Sequence, residues 1–225
     1  MKRGILQADS VLDQFQPVHG DYPGMIAGIL GQAAGELNQA MFVRFSGCNL
    51  WSGREQHRSS AICKFCDTDF VGTNGINGGT YAAKDLVLKL TELWGDQGNR
   101  LIVFTGGEPM LQLDARLIEE CKKSGFDTAI ETNGTIAIDL DLDWICVSPK
   151  QGSELIVHQG NELKVVYPQE GQDLDHFLDL KFDHMYLQPM DGLEGKENTR
   201  KTIQYCLENP RWKLSIQQHK LIGMA

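Results

Sequence analysis

Five apolar runs in this chain end alike, in glycine, hydroxyl or proline text, and that repetition limits the fold most. Met41–Phe45 leads into Ser46-Gly47-Cys48, and Leu101–Phe104 into Thr105-Gly106-Gly107-Glu108-Pro109. Ala129–Thr132 continues as Asn133-Gly134, Trp144–Val147 as Ser148-Pro149-Lys150, and Met185–Gln188 as Pro189-Met190-Asp191. Leu163–Tyr167 and Trp212–Ile216 read as further strands. Between them lie helical patterns. Ala82–Trp94 carries apolar residues at 82, 83, 86, 87, 90, 93 and 94, and Leu113–Cys121, Thr199–Leu207 and a short Leu174–Leu180 follow. Strands separated by helices or long connections pair in parallel. An α/β barrel builds its site at the carboxyl ends of its strands. The expectation is therefore an α/β fold, an incomplete (β/α) barrel of about six mainly parallel strands, over residues 39–225. Residues 1–38 show weak periodicity and are read as a poorly defined segment, and 71–80 as loop.

Charge narrows the function. Lys and Arg number 21 against 30 Asp and Glu, a net charge of -9. Nucleic acid and anionic membrane both require a basic face, so neither is an expected partner. No apolar run approaches the roughly 18 residues of a membrane span. The basic start Met1-Lys2-Arg3-Gly4 is followed by Gln7, Asp9 and Ser10, which interrupt a signal-peptide core. A cytoplasmic protein is expected.

Three of the six cysteines are clustered, as Cys48-x14-Cys63-x2-Cys66. In a reducing compartment such clustering points to metal or redox chemistry, and thiolates suit zinc or iron–sulfur centres. Spacing alone leaves two readings. A structural zinc site needs four protein ligands, and His57 could supply the fourth. Alternatively, three thiolates hold a cubane and leave one iron open. Cys121, Cys146 and Cys206 are isolated on apolar segments and are read as buried, packing thiols.

The cysteine set, with Phe65 before its last member, resembles the cluster loop of the radical S-adenosylmethionine superfamily, and Thr105-Gly106-Gly107-Glu108-Pro109 resembles its glycine motif. A narrower resemblance spans residues 41–225. Phe42 through Glu55, Cys66-Asp67-Thr68-Asp69-Phe70, Glu131-Thr132-Asn133-Gly134, Ser148-Pro149-Lys150, Gln188-Pro189-Met190-Asp191-Gly192 and His219-Lys220 recur together in the 7-carboxy-7-deazaguanine synthase family. A subset of that family shares the long cysteine gap.

The resemblance implies an enzyme, a carbon–nitrogen lyase. It would convert 6-carboxy-5,6,7,8-tetrahydropterin to 7-carboxy-7-deazaguanine with loss of ammonia, in queuosine-precursor synthesis. Cys48, Cys63 and Cys66 would hold a [4Fe–4S] cluster. Phe65, Gly107, Ser148, Pro149, Lys150, Gln188, Pro189, Met190 and Asp191 would bind S-adenosylmethionine, and Thr68 would bind Mg²⁺. Substrate contacts would come from Gly31, Arg44, Thr105 and the terminal Ala225, with His219 orienting. An electron donor such as flavodoxin or ferredoxin and a homodimer are also implied. The chemistry is consistent: a [4Fe–4S] cluster supplies a low-potential electron, and a guanidinium suits the pterin carboxylate. No catalytic side chain is assigned. Asp67 and Asp69 are read equally as ligands or as turn caps. The sequence departs from the family where Gln-Gly-Glu-Gly becomes Leu30-Gly31-Gln32-Ala33 and Gly-x-Pro becomes Leu37-Asn38-Gln39. A radical reaction on another heterocycle and a zinc-binding module are the competing readings.

Overall fold

A computed structural model describes residues 3–10 by their backbone, and residues 40–217 apart from 76, 97 and 99. The strands are β1 (Arg3–Ser10), β2 (Met41–Phe45), β3 (Gly79–Tyr81), β4 (Arg100–Gly106), β5 (Phe126–Thr132), β6 (Trp144–Val147), β7 (Gln159–Tyr167), β8 (Lys181–Pro189) and β9 (Lys213–Leu214). The helices are α1 (Ala83–Trp94), α2 (Ala115–Lys123) and α3 (Gly195–Glu208). The sheet order is β3-β1-β2-β4-β5-β6-β7-β8-β9, open at both edges. From β2 to β9 every neighbouring pair is parallel, giving seven parallel strands. All seven therefore point their carboxyl ends to one rim. β1 runs antiparallel to β2, and β3 antiparallel to β1.

Alternation along each strand separates two faces. On the helix side, Met41, Val43 and Phe45 of β2, Ile102 and Phe104 of β4 and Ile130 of β5 are wholly buried against Leu86 and Leu90 of α1 and Leu117 of α2. This stripe on α1 is the one read from its spacing. Asp114 starts α2 by accepting the Leu117 N–H at 2.9 Å, an N-cap that satisfies an otherwise orphaned donor. A second core joins Val147, Leu163, Val165 and Leu187 to Phe177 and Trp212. The other sheet face begins with a small apolar group of Ala40, Phe42, Val103 and Ala129. It turns polar toward the rim.

The structure extends the sequence reading at four points. β1 lies within the segment read as poorly defined, and β3 starts inside the 71–80 loop. The Leu174–Leu180 run forms a single 3-10 turn, Asp175–Phe177. α3 starts four residues before Thr199, because its buried side is polar: Asn198 and Thr202 face inward. Thr202 donates to the Asn198 carbonyl at 2.7 Å, and Asn198 donates to the Met190 carbonyl at 2.9 Å.

Candidate active site

The rim brings the cysteine loop against the glycine motif. The loop after β2 folds on Trp51, which meets Phe70 edge to face at 5.6 Å. The Arg58 guanidinium stacks on Trp51 at 4.0 Å and donates to the carbonyls of Lys64 at 2.9 Å and Cys66 at 3.1 Å. Glu55 accepts from Arg58 Nε at 2.7 Å. The long gap between Cys48 and Cys63 is thus an organised hairpin of chain, with a 3-10 turn at Glu55–Ser60, that delivers Cys63 and Cys66 beside Cys48. A hydrogen bond between Cys63 and Cys66 holds the Cys66 thiol down to about 6 and raises Cys63. Burial raises Cys48, whose sulfur accepts the Leu50 N–H at 3.4 Å.

β4 ends against this loop. Gly107 N donates to the Phe45 carbonyl and Glu108 N to the Gly47 carbonyl, both at 2.9 Å. A Cβ on Gly107 would stand 1.9 Å from the Gly47 carbonyl oxygen, so no side chain fits there. Gly106 adopts φ 112°, a conformation glycine accepts freely, and a Cβ there would stand 2.4 Å from Phe45 N. Glu108, wholly buried, then ties the rim together. Its Oε1 accepts from Thr132 Oγ1 at 2.7 Å and from Met110 N at 3.0 Å. Its Oε2 accepts from Asn133 N at 2.8 Å. Asn133 Nδ2 donates in turn to Asn49 Oδ1 at 2.9 Å.

Below the rim, one face carries a polar row. Arg44 of β2 pairs with Thr105 of β4, and Thr105 donates to Glu131 Oε2 of β5 at 3.2 Å. Glu131 Oε1 accepts from Lys164 Nζ of β7 at 2.7 Å. Burial raises the Glu131 carboxyl, but Lys164, by charge and hydrogen bond, and then Arg44 pull it below the usual value. Lys150 lies behind the cysteines. Its ammonium donates to the Ser148 carbonyl and, at 2.8 Å, to Ser148 Oγ. Burial lowers it, while the Cys63 and Cys66 thiols hold it up.

The predicted residues mostly share this rim. Cys48, Cys63, Cys66, Phe65 and Thr68 lie on the loop after β2. Gly107 follows β4, Ser148, Pro149 and Lys150 follow β6, and Gln188 through Asp191 close β8. Asn198 and the Tyr167 carbonyl anchor that last turn through Met190. Gly31, His219 and Ala225 lie outside the described residues. Asp69 caps a turn, accepting the Val71 N–H at 3.2 Å. His57 has both ring nitrogens engaged, by Ser52 at 2.8 Å and Gln56 at 3.3 Å. Among the described residues no three His, Cys, Asp or Glu side chains are grouped to hold a single metal ion. Glu131, Lys164, Glu108 and Arg58 received no role from the sequence. Glu131 stood in a quoted motif, and the other signal was alternation on β5 and β7. Cys121 and Cys146 are buried as read, the Cys146 thiol also donating to Glu162 Oε1 at 3.5 Å, whereas Cys206 is only half-buried.

Three neighbouring thiols, with the half-buried Lys150 ammonium beside them, form a donor set that fits an iron–sulfur cluster. An open parallel half-barrel with that set at its rim defines the radical S-adenosylmethionine class, and the profile described as Radical SAM superfamily matches residues 57–161. Proteins named 7-carboxy-7-deazaguanine synthase are similar over most of the chain. That of Bradyrhizobium diazoefficiens is 53% identical, covering 86% of this chain and 93% of that one. That of Caulobacter vibrioides is 52% identical, covering 82% and 89%. That of Burkholderia multivorans is 49% identical, covering 86% and 93%. The chain belongs to the 7-carboxy-7-deazaguanine synthase family, enzymes of 7-deazapurine biosynthesis that use a [4Fe–4S] cluster and S-adenosylmethionine. The fold agrees with the crystal structure of QueE from Escherichia coli, at a TM-score of 0.64 and 24% identity over 96% of this chain and 94% of that one.

Proposed function

We propose that this enzyme converts 6-carboxy-5,6,7,8-tetrahydropterin to 7-carboxy-7-deazaguanine, with Cys48, Cys63 and Cys66 holding the cluster. The observation that carries this reading is the meeting, at one rim, of the three-thiol loop with the Arg44–Thr105–Glu131 row. When bound, the cluster supplies the electron that splits S-adenosylmethionine to a radical able to abstract a substrate hydrogen. The remaining work belongs to the chain. The turns Ser148–Lys150 and Gln188–Asp191, with Phe65 and Gly107, bind S-adenosylmethionine. Arg44 pairs with the pterin carboxylate, an anion on a face where an uncompensated guanidinium would be costly. Thr105 hydrogen-bonds the pterin ring, and the Glu131 carboxylate accepts from a ring N–H beside it. Thr68 offers a hydroxyl to Mg²⁺, a hard oxygen ligand for a hard cation. The apolar patch of Phe42, Val103, Ala129 and Trp144 closes the floor against water. Gly31 and Ala225 complete the substrate contacts, a flavodoxin or ferredoxin donates the electron, and the enzyme works as a homodimer in the cytoplasm.

The test is anaerobic reconstitution followed by incubation with S-adenosylmethionine, reductant, Mg²⁺ and 6-carboxytetrahydropterin, with product read by mass. Formation of 7-carboxy-7-deazaguanine is expected. Cleavage of S-adenosylmethionine without that product would direct the reading to another heterocycle.

A further inference from the structure

Behind the substrate row lies a second layer of charge that no assigned role explains. Alternation on β7 sends Glu162 and Lys164 to the same face as Arg44, Thr105 and Glu131. The register is continuous: Glu131 opposite Cys146, Cys146 opposite Glu162, Glu162 opposite His184, and Lys164 opposite Tyr186. The ion pair of Lys164 with Glu131, at 2.7 Å, leaves their side chains only 12% and 19% exposed. Glu162 is wholly buried. Its Oε1 accepts from the Cys146 thiol, and its Oε2 has no hydrogen-bond partner.

The surroundings push the two carboxylates in opposite directions. An ionised carboxylate with an unsatisfied oxygen is expensive to bury, and burial raises Glu162, against a smaller pull from Lys164. Burial likewise raises the Cys146 thiol and the Tyr186 hydroxyl. Glu131 makes the short contact with the ammonium and lies by the Arg44 charge. Around the pair stand Lys150 after β6, like-charged with Lys164, and His184, which lies opposite Glu162 and stacks on Trp144 at 6.0 Å. Of the two carboxylates, Glu131 makes the ion pair with Lys164, at 2.7 Å.

We propose that Lys164 is a positioning residue for the reaction: it holds the Glu131 carboxylate in place beside Thr105 and Arg44, with Glu162 buried behind that pair. The inference rests on the synthase reading, because it takes Glu131 to face the pterin.

The experiment compares wild type, Lys164→Met and Lys164→Arg as reconstituted holoenzymes. Readouts are kcat and KM for the pterin across pH, S-adenosylmethionine binding, and an infrared titration of the carboxyl band that Glu131→Gln removes. An anionic Glu131 is lost as pH falls through its pKa, so removing the cation must move the acid limb of kcat/KM upward. For Lys164→Met that shift is expected to be about one pH unit or more, with S-adenosylmethionine binding unchanged. Lys164→Arg is expected to keep the limb at its wild-type position. A limb that stays put in Lys164→Met, or that moves equally in Lys164→Arg, overturns the proposal. Should Lys164→Met fail to fold, Lys164→Gln combined with Glu162→Gln carries the same expectation. If wild type makes no deazaguanine, the synthase reading fails, and the infrared band still decides this one. Protonation of Glu131 at the same pH in both proteins refutes it, and protonation at higher pH in the variant supports it.

Discussion

The two faces of the same strands are built to opposite rules. On the helix side of β4, Ile102 and Phe104 are wholly buried among aliphatic and aromatic neighbours. One residue away, Val103 and Thr105 face the other side, and by Thr105 the neighbours are Arg44 and Glu131. The helix side is uniform from end to end, whereas the opposite face passes from an apolar floor to a charged rim within a few residues. Stability is concentrated on one side and chemistry on the other, with the backbone between them. Substitutions that differ by one position should therefore fail in different assays.

The sharpest break is expected from Cys63→Ala, which removes a thiol of the cluster set. Iron and sulfide content and turnover should both be lost, while the melting temperature of the apo chain moves little. Phe104→Ala should do the reverse. Truncating a wholly buried aromatic costs about 3–5 kcal/mol, read by denaturant melts, with kcat per folded molecule retained. Gly107→Ala lies on the boundary and should affect both. Forcing a Cβ onto the Gly47 carbonyl costs about 3 kcal/mol and displaces the cysteine loop, so S-adenosylmethionine binding should weaken with the melt. Arg44→Ala should raise KM for the pterin by roughly tenfold to a hundredfold, the value of a hydrogen bond to a charged group, and leave S-adenosylmethionine affinity intact. Equal loss of both affinities would count against its placement. At the small end, Glu197→Ala removes an exposed pairing with Arg200 on α3, and neither melt nor turnover should change measurably.

Much of this division was legible before the structure. The strand endings marked the rim, because parallel strands deliver their carboxyl ends together. The cysteine spacing and the glycine motif marked what the rim holds. What stayed hidden was polar and distributed. Glu162-Leu163-Lys164 alternates as an ordinary half-exposed strand would, and only the register with β5 shows that Lys164 reaches Glu131. α3 was read short because its buried residues, Asn198 and Thr202, carry no hydrophobic signal. β3 is three residues in glycine-rich text and gains its pairing from β1, far away in the chain. The role of Glu108 was obscured by its motif. Its neighbouring glycines explain a tight turn, but two of the three partners of its carboxylate lie 24 and 25 positions further on.

That carboxylate has a consequence for how the rim behaves in time. Through Thr132, Asn133 and Asn49, a single side chain joins three connections drawn from distant parts of the chain. None of them can loosen without stranding a buried oxygen or amide of another. The mouth of the half-barrel should then open as one cooperative unit, with amide hydrogens on the three connections exchanging together under native conditions.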